Sequence, residues 1–418
     1  MMQGLDYLAA QSFGGLMAIY WFVIFFEIPR YLLLFCLVAL LPRRTPATDL
    51  VDGTSVSVVV VGHSEGRKVE TCVATLREQS HRPDEIIVLS DGSTDDMAKQ
   101  VLALHKRGWI DAAHATELRS GKAAGLNLGA RLAKGGIIIF VDCDCTFDRH
   151  AIRNIVRPFA DPQVGAVSGS VLVRNSFASL MTAFQAIEYV ITISLGRQAM
   201  DRLGQVSCVS GAFGAFRRQA FTQIGGFDAE GGEDLDLTLS MRTAGWRIRF
   251  AHDAVCLTDV PVTVRRLIRQ RGRWERDAVR LRFRKHAGML NPLAPRFAWR
   301  ELLHEAEFLL FSVIPAMILP FYVIWLFQSY GSFAFSILVA AQFTLMLMDM
   351  AIFLIGALVT PRAPGLRLVP FIPGFGLYYG VFMRAIRLNA YIREWVWHAS
   401  NRDEFVPAKV LRSRGQVR

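Results

Sequence analysis

The sequence predicts an open α/β sheet carried between membrane-spanning helices, and three observations lead there. Of the 418 residues 52% are hydrophobic, with the apolar ones concentrated near the N-terminus and in the last quarter. The middle alternates short β-branched runs with helical stretches, the order of a βαβ fold. Three of those runs end in polar tips that carry Gly or Asp, which is where open α/β sheets bind ligands.

The first apolar stretch, Leu16 to Leu41, is long enough to span a bilayer. It lacks the basic start and small-residue end of a secretory signal. Glu27 and Arg30 lie one helical turn apart within it, so the expectation is that they pair and lower each other's burial cost. Arg43 and Arg44 follow, whereas no Lys or Arg precedes the stretch. The positive-inside rule then puts the N-terminus outside and the next domain in the cytosol, in a bacterial inner (plasma) membrane. Two further spans are expected near Phe308 to Phe327 and Phe333 to Val359. Leu368 to Phe382, with two prolines and three glycines, suits either a crossing or a re-entrant turn. A crossing sends the C-terminus outside; the basic tail (Lys409, Arg412, Arg414, Arg418) argues for inside.

Net charge is +11, with much of the excess between Arg265 and Lys285. No nucleic-acid reading motif accompanies it, and membrane segments follow, so lipid headgroups and diphosphates are the expected partners. The six cysteines (Cys36, Cys72, Cys143, Cys145, Cys208, Cys256) form no CxxC pair and have no His cluster beside them, which argues against a zinc site. Cys143 and Cys145 read as small residues filling a strand end. His63, His114 and His252 have no partner at metal spacing and read as ordinary loop residues.

Val56–Val61, Glu85–Leu89 and Ile137–Val141 are unbroken apolar runs suited to strands buried on both faces of a parallel sheet. Helical stretches at Lys68–Gln79 and Asp96–Lys106 alternate with them. Beyond the three strands come Gly62-His63-Ser64-Glu65-Gly66, Ser90-Asp91-Gly92-Ser93-Thr94-Asp95 and Asp142-Cys143-Asp144. One such tip is an ordinary turn; three on one edge make a site. Asp142 and Asp144, two apart at an extended strand end, would project to the same side. Hard oxygen ligands at that spacing suit Mg2+ or Mn2+, which in turn hold a diphosphate.

Taken in order, Ser90-Asp91-Gly92-Ser93, Asp142-Cys143-Asp144, Gly232-Glu233-Asp234 and Gln270-Arg271-Gly272-Arg273-Trp274 resemble glycosyltransferase family 2 with its GT-A fold. The likeness covers Ser55 to Trp274, with Gly121-Lys122-Ala123-Ala124-Gly125-Leu126-Asn127 as a further segment. It looks most like the membrane-bound branch of cellulose, chitin, hyaluronan and poly-N-acetylglucosamine synthases. Ser90-Asp91 stands where the family often has two aspartates, and Ser64-Glu65 where it commonly has Asn-Glu.

The resemblance implies roles. Val61, Gly62, Glu65, Asp91, Lys122 and Asp142 would hold the nucleotide, usually uridine diphosphate. Asp144, with Asp142, would hold the metal. Asp234 would be the general base, with Glu233 beside it. Ser210, Gly211, Gln270, Arg271, Arg273 and Trp274 would face the diphosphate and the acceptor. The chemistry needs these residue types: an acceptor hydroxyl attacking the anomeric carbon needs a base, and the departing diphosphate needs cations. One direct displacement inverts the anomeric centre, giving a β-linkage from an α-linked UDP-sugar.

The implied organisation is a membrane helix over 1–45 and a cytosolic GT-A domain over 50–260. Amphipathic interfacial helices with the Gln-Arg-Trp motif follow over 261–300, then membrane helices over 301–395 and a basic tail over 396–418. The acceptor is a glycan in the leading reading, a β-linked polymer passed through the chain's own helices, or a membrane lipid such as a ceramide in the rival one. An inactive subunit or a transporter is a third class, disfavoured by intact Asp91, Asp142, Asp144, Asp234 and Trp274.

Overall fold

The computed structural model describes residues 2–40, 53–293, 297 and 299–402. Arg43, Arg44 and the basic tail residues lie outside them. Eight strands form one sheet: β1 (Val56–Gly62), β2 (Glu85–Asp91), β3 (Ala112–Thr116), β4 (Ile137–Asp142), β5 (Thr146–Phe147), β6 (Val164–Val173), β7 (Phe213–Arg217) and β8 (Arg247–Thr258). Their order is β3-β2-β1-β4-β7-β6-β8-β5. The expected α/β class holds, and the three predicted runs are β1, β2 and β4.

The sheet is mixed rather than wholly parallel. β3, β2, β1 and β4 run parallel, but β7 enters antiparallel to both β4 and β6. Strand order reverses direction between β1 and β4, a topological switch point that opens a crevice at their carboxyl ends.

Alternation along each strand feeds two cores. Val56, Val58 and Val60 of β1 join Ile137, Ile139 and Val141 of β4 on one face. Val59, Val61, Ile138 and Phe140 pack on the other. Both faces are dry, which is why the runs read as continuously apolar. The first core continues into the last membrane helices through Phe353, Ile372, Phe375 and Tyr378. Phe184 stacks on Tyr378 with ring centroids 5.3 Å apart, and Ser194 and Thr360 share a 2.8 Å hydrogen bond. The sheet domain therefore has no independent closed core; helices from the last quarter complete it.

Among the described residues three helices are long and apolar enough to cross a membrane, Glu301–Tyr330, Phe333–Val359 and Gly365–Trp397, and they make this a membrane protein. The third absorbs the Leu368–Phe382 segment into one continuous helical run. The N-terminal stretch differs from the single helix expected: Phe13–Ile19 and Val23–Val38 meet at 75°. Tyr322 donates to the Ile19 carbonyl at 2.8 Å, and Tyr20 donates to the Ile337 carbonyl at 3.4 Å. A carbonyl released at the bend is thus satisfied from a neighbouring helix, as a kink requires. A π-helical turn, Val23–Glu27, follows the bend and leads into the helix that carries Arg30. The expected Glu27–Arg30 pair gives way to two others: Glu27 with Arg384, and Arg30 donating to Tyr379 at 2.8 Å.

A buried ionic network fastens the first long membrane helix to the sheet domain. Arg242 meets Glu301 at 2.7 Å and donates to the Val206 carbonyl at 3.0 Å, while Arg282 meets Glu305 at 2.6 Å. Glu301→Ala leaves Arg242 charged and buried, so a loss of about 3–5 kcal/mol is expected. Thermal unfolding of the detergent-solubilised variant measures it as a lowered midpoint.

Candidate active site

The three predicted tips share one sheet edge because the register aligns them. Gly62 pairs with Ser90, Val61 with Asp142, and Asp91 with Thr116. Gly62 is needed for close approach: a Cβ there would lie 2.9 Å from the Cys143 Cβ. Ser64 turns the chain with φ of 57°, a left-handed conformation uncommon for a residue with a side chain. His63 holds the β1 tip to the β2 tip, its Nδ1 2.8 Å from the Asp91 carbonyl.

Asp91 is buried, and its carboxylate accepts from the backbone N–H of Ser120 at 2.6 Å and of Gly121 at 2.7 Å. It thereby builds the loop that opens the helix Lys122–Leu132. Gly121 itself has φ of 96°, which favours glycine. Ser90, in place of a second aspartate, donates to Ser93 at 2.8 Å.

That loop aims Lys122 at the centre of the site. Its Nζ lies 2.6 Å from Asp142 and 3.6 Å from Glu233. Burial works against the ammonium, but Asp142 and Glu233 outweigh it and raise Lys122 above the ordinary range. Burial raises the Asp142 carboxyl, Lys122 opposes that, and Asp144 adds to it. Glu65 is pushed up to about 7, first by burial and then by Asp144 and Asp142. Asp144 and Asp142 thus act on Glu65 as like charges across the same sheet edge.

The extended strand stops at Asp142, and Asp144 sits in the turn beyond it. The two carboxylates consequently take different partners. Asp144 accepts from Thr258 at 3.4 Å and lies 3.7 Å from Lys68, which stands equally far from Asp259. Arg174 meets Asp259 at 2.8 Å. Lys68, Arg174, Thr258 and Asp259 were not anticipated from sequence. Asp259 follows β8 directly, so applying the strand-tip rule to that strand would have found it. Cys143 is fully buried and burial pushes its thiol up, which makes it a neutral filler.

Glu233 and Asp234 open the helix Glu233–Thr243 after Gly232, whose φ of 71° favours glycine. Acids in a first helical turn are stabilised by the helix dipole. The Gly211 N–H donates to Asp234 at 3.3 Å. A Cβ on Gly211 would stand 3.3 Å from the Lys122 Nζ and 3.4 Å from the Asp234 carboxylate. Lys122, Asp142, Gly211, Glu233 and Asp234 thus converge on one spot from four separate segments. Ser210 supports the turn through its N–H, which donates to Ser168 at 3.1 Å. Asp236 serves the helix instead, meeting Lys285 at 2.9 Å and His286 at 2.7 Å. Burial raises its carboxyl, but those two partners bring it below the usual range.

The helix Val264–Arg280 runs past the head of the Asp234 helix. Arg280 donates to the Gly231 carbonyl at 2.5 Å and pairs with Glu230. A Cβ on Gly232 would lie 3.0 Å from both the Asp277 Cβ and Leu281. Gln270, Trp274, Asp277 and Leu281 follow helical spacing, so they share the face that meets this loop. The Gln270 side-chain oxygen is buried with no hydrogen-bond partner among the described residues. Trp274 is partly exposed. Arg273 lies one step round the helix, partly buried. Arg271 faces elsewhere: its guanidinium meets Glu188 at 2.9 Å in a buried pair.

Among the described residues no three His, Cys, Asp or Glu side chains are grouped to hold a metal by themselves. Two acidic side chains at the edge of a charge-rich crevice are instead suited to an ion whose remaining ligands come from elsewhere.

A family model described as "Glycosyltransferase like family 2" matches residues 53–276. The chain is 27% identical over 262 residues to the poly-beta-1,6-N-acetyl-D-glucosamine synthase of Staphylococcus aureus strain COL, covering 62% of this chain and 62% of that one. The enzyme of the same name from Staphylococcus epidermidis is 24% identical over 354 residues, with 80% of this chain and 82% of the relative covered. Among solved structures, the mannosyltransferase PcManGT from Pyrobaculum calidifontis, in complex with GDP-Man and Mn2+, superposes with a TM-score of 0.63. It is 21% identical, and 91% of this chain and 96% of that one are aligned. The fold common to the two is GT-A.

Proposed function

Since the chain belongs to glycosyltransferase-like family 2, we propose that it transfers a sugar from a UDP-sugar to a β-linked glycan, with inversion, at the cytosolic face of a bacterial inner membrane. The convergence of Lys122, Asp142, Glu233 and Asp234 carries this reading. It supplies a carboxylate at the head of a helix beside an ammonium that bridges to the nucleotide-side aspartate. The names of the staphylococcal relatives make N-acetylglucosamine the first sugar to test.

In this mechanism Asp234 takes the proton from the acceptor hydroxyl, because its carboxylate accepts from the backbone N–H groups of Gly211 and Leu235 and forms no ion pair among the described residues, whereas Glu233 lies against Lys122. Carboxylate base catalysis of this kind is worth about 10²–10⁴-fold. Lys122 stays charged and holds Asp142 and Glu233 in place. Asp91 acts behind it by fixing the 120–121 loop. Gln270 and Trp274 lie along the acceptor-side face, where an unpartnered amide oxygen can accept from a sugar hydroxyl and an indole can stack on a pyranose. A bound Mg2+ or Mn2+, held by Asp144 with Asp142, would neutralise charge building on the leaving diphosphate. The polymer is favoured over a single lipid transfer by the match to the staphylococcal synthases over 80% of the chain.

A panel of UDP-sugars offered to the detergent-solubilised protein tests the reading, with products resolved by size and mass. The expected result is a polymer from one donor that appears with Mn2+ or Mg2+ and disappears with EDTA. A single glycolipid would overturn the polymer, and turnover unaffected by EDTA would overturn the metal.

A further inference from the structure

The Gln270–Trp274 segment is steered by a residue from a different part of the chain. Arg271 lies between two rings: its guanidinium carbon is 4.7 Å from the Trp274 ring centroid and 5.8 Å from that of Tyr189. The carboxylate of Glu188, the residue before Tyr189, accepts from the Arg271 Nη2 at 2.9 Å. The same oxygen of Glu188 accepts from the Tyr378 hydroxyl at 2.9 Å. Tyr378 belongs to the third membrane helix, Gly365–Trp397. Glu188 and Arg271 are both buried.

A buried ion pair is a poor way to gain stability, since apolar residues of equal volume often do as well or better. What it supplies is direction. A planar guanidinium fixed at one end by a carboxylate presents its flat face to an aromatic ring in one orientation. The Arg271 Nε has no acceptor among the described residues, so Glu188 and the two rings set its position. The carboxylate is in turn placed by a change of helix type: Leu180–Glu188 is α-helical and Tyr189–Gly196 is π-helical. Such π segments are frequent at functional sites, because the wider turn re-aims side chains.

We infer that Glu188 is a positioning residue for sugar transfer, holding Arg271 against one face of the Trp274 indole so that the other face is offered to the acceptor sugar. The inference rests on the proposed transferase reading for its catalytic consequence, though not for its structural one. Through Tyr378 it ties the orientation of the acceptor-side tryptophan to the third membrane helix.

The test labels the full-length protein with 5-fluorotryptophan and identifies the Trp274 fluorine signal by its loss in Trp274→Phe. In Glu188→Gln the Trp274 signal is expected to shift while the other indole signals stay. In the same variant turnover should fall about 10–100-fold, the cost of a misplaced binding group, with UDP affinity unchanged. Glu188→Asp, which keeps the charge, should recover part of the loss. Tyr378→Phe removes one of the two hydrogen bonds to the carboxylate and should shift the Trp274 signal in the same direction by less. If Glu188→Gln does not fold, Tyr378→Phe decides. A Trp274 signal unmoved in the folded variants overturns the positioning role, as does a turnover loss that Glu188→Asp leaves unrelieved. A wild-type protein that transfers no sugar while the Trp274 signal still shifts overturns the transferase reading and leaves the positioning intact.

Discussion

Asp234→Asn should abolish sugar transfer while leaving the donor bound. The substitution keeps the size of the side chain and the oxygen that accepts from Gly211 at 3.3 Å or from Leu235 at 2.8 Å, so the head of the Glu233–Thr243 helix stays formed. What disappears is a carboxylate able to take a proton. A fall in turnover of about 10²–10⁴-fold follows from losing a general base. UDP titrated with Mn2+ into the variant should bind as to the wild type, because the proposed nucleotide side is built from the β1, β2 and β4 tips. Turnover that survives the change would sink the assignment. Glu233 is the neighbouring alternative, but it lies 3.6 Å from the Lys122 ammonium, which keeps it engaged. Glu233→Gln in parallel separates the two: a milder loss there and a severe one at Asp234 is the expected pattern.

Lys122→Met is expected to damage the donor side instead. The methionine fills similar space without charge, leaving Asp142 and Glu233 facing each other across a gap the ammonium now spans at 2.6 and 3.6 Å. Charge-assisted hydrogen bonds of this kind are worth about 1.5–3 kcal/mol each. One lost bond weakens UDP binding by about 10–100-fold, and turnover should fall further because Asp142 no longer has a fixed partner. Calorimetric titration of UDP and a thermal midpoint distinguish this from unfolding. Donor affinity equal to wild type would mean that Lys122 serves only to neutralise the acids.

The sheet strands were legible because burial on both faces leaves an unbroken β-branched run, and that is a local property of residues 56–61, 85–89 and 137–141. The tips were legible for a related reason: a parallel strand must end in a turn, and the turns here carry Gly and Asp. Asp142 and Asp144 were visible as a pair, yet their separate partners were not, since Lys122 and Lys68 come from different helices. The N-terminal helix shows the same limit. Its apolar length is written in the sequence, but its 75° bend depends on Tyr322 reaching the Ile19 carbonyl from 303 residues away. Glu27 and Arg30 had the spacing to pair and did not, because better-placed partners arrive from the last membrane helix.

Composition and motif order by themselves determined that this chain is a membrane-held α/β protein with a family 2 site, since hydrophobic length, strand-end chemistry and motif sequence are all short-range patterns. Only the tertiary structure decided which carboxylate meets which lysine, that Arg271 turns away from Gln270 toward Glu188, and that the membrane helices complete the sheet domain's core. Those outcomes depend on which segments become neighbours in space. A charged side chain buried among helices takes the partner the packing brings to it, whatever stands one turn away along its own chain.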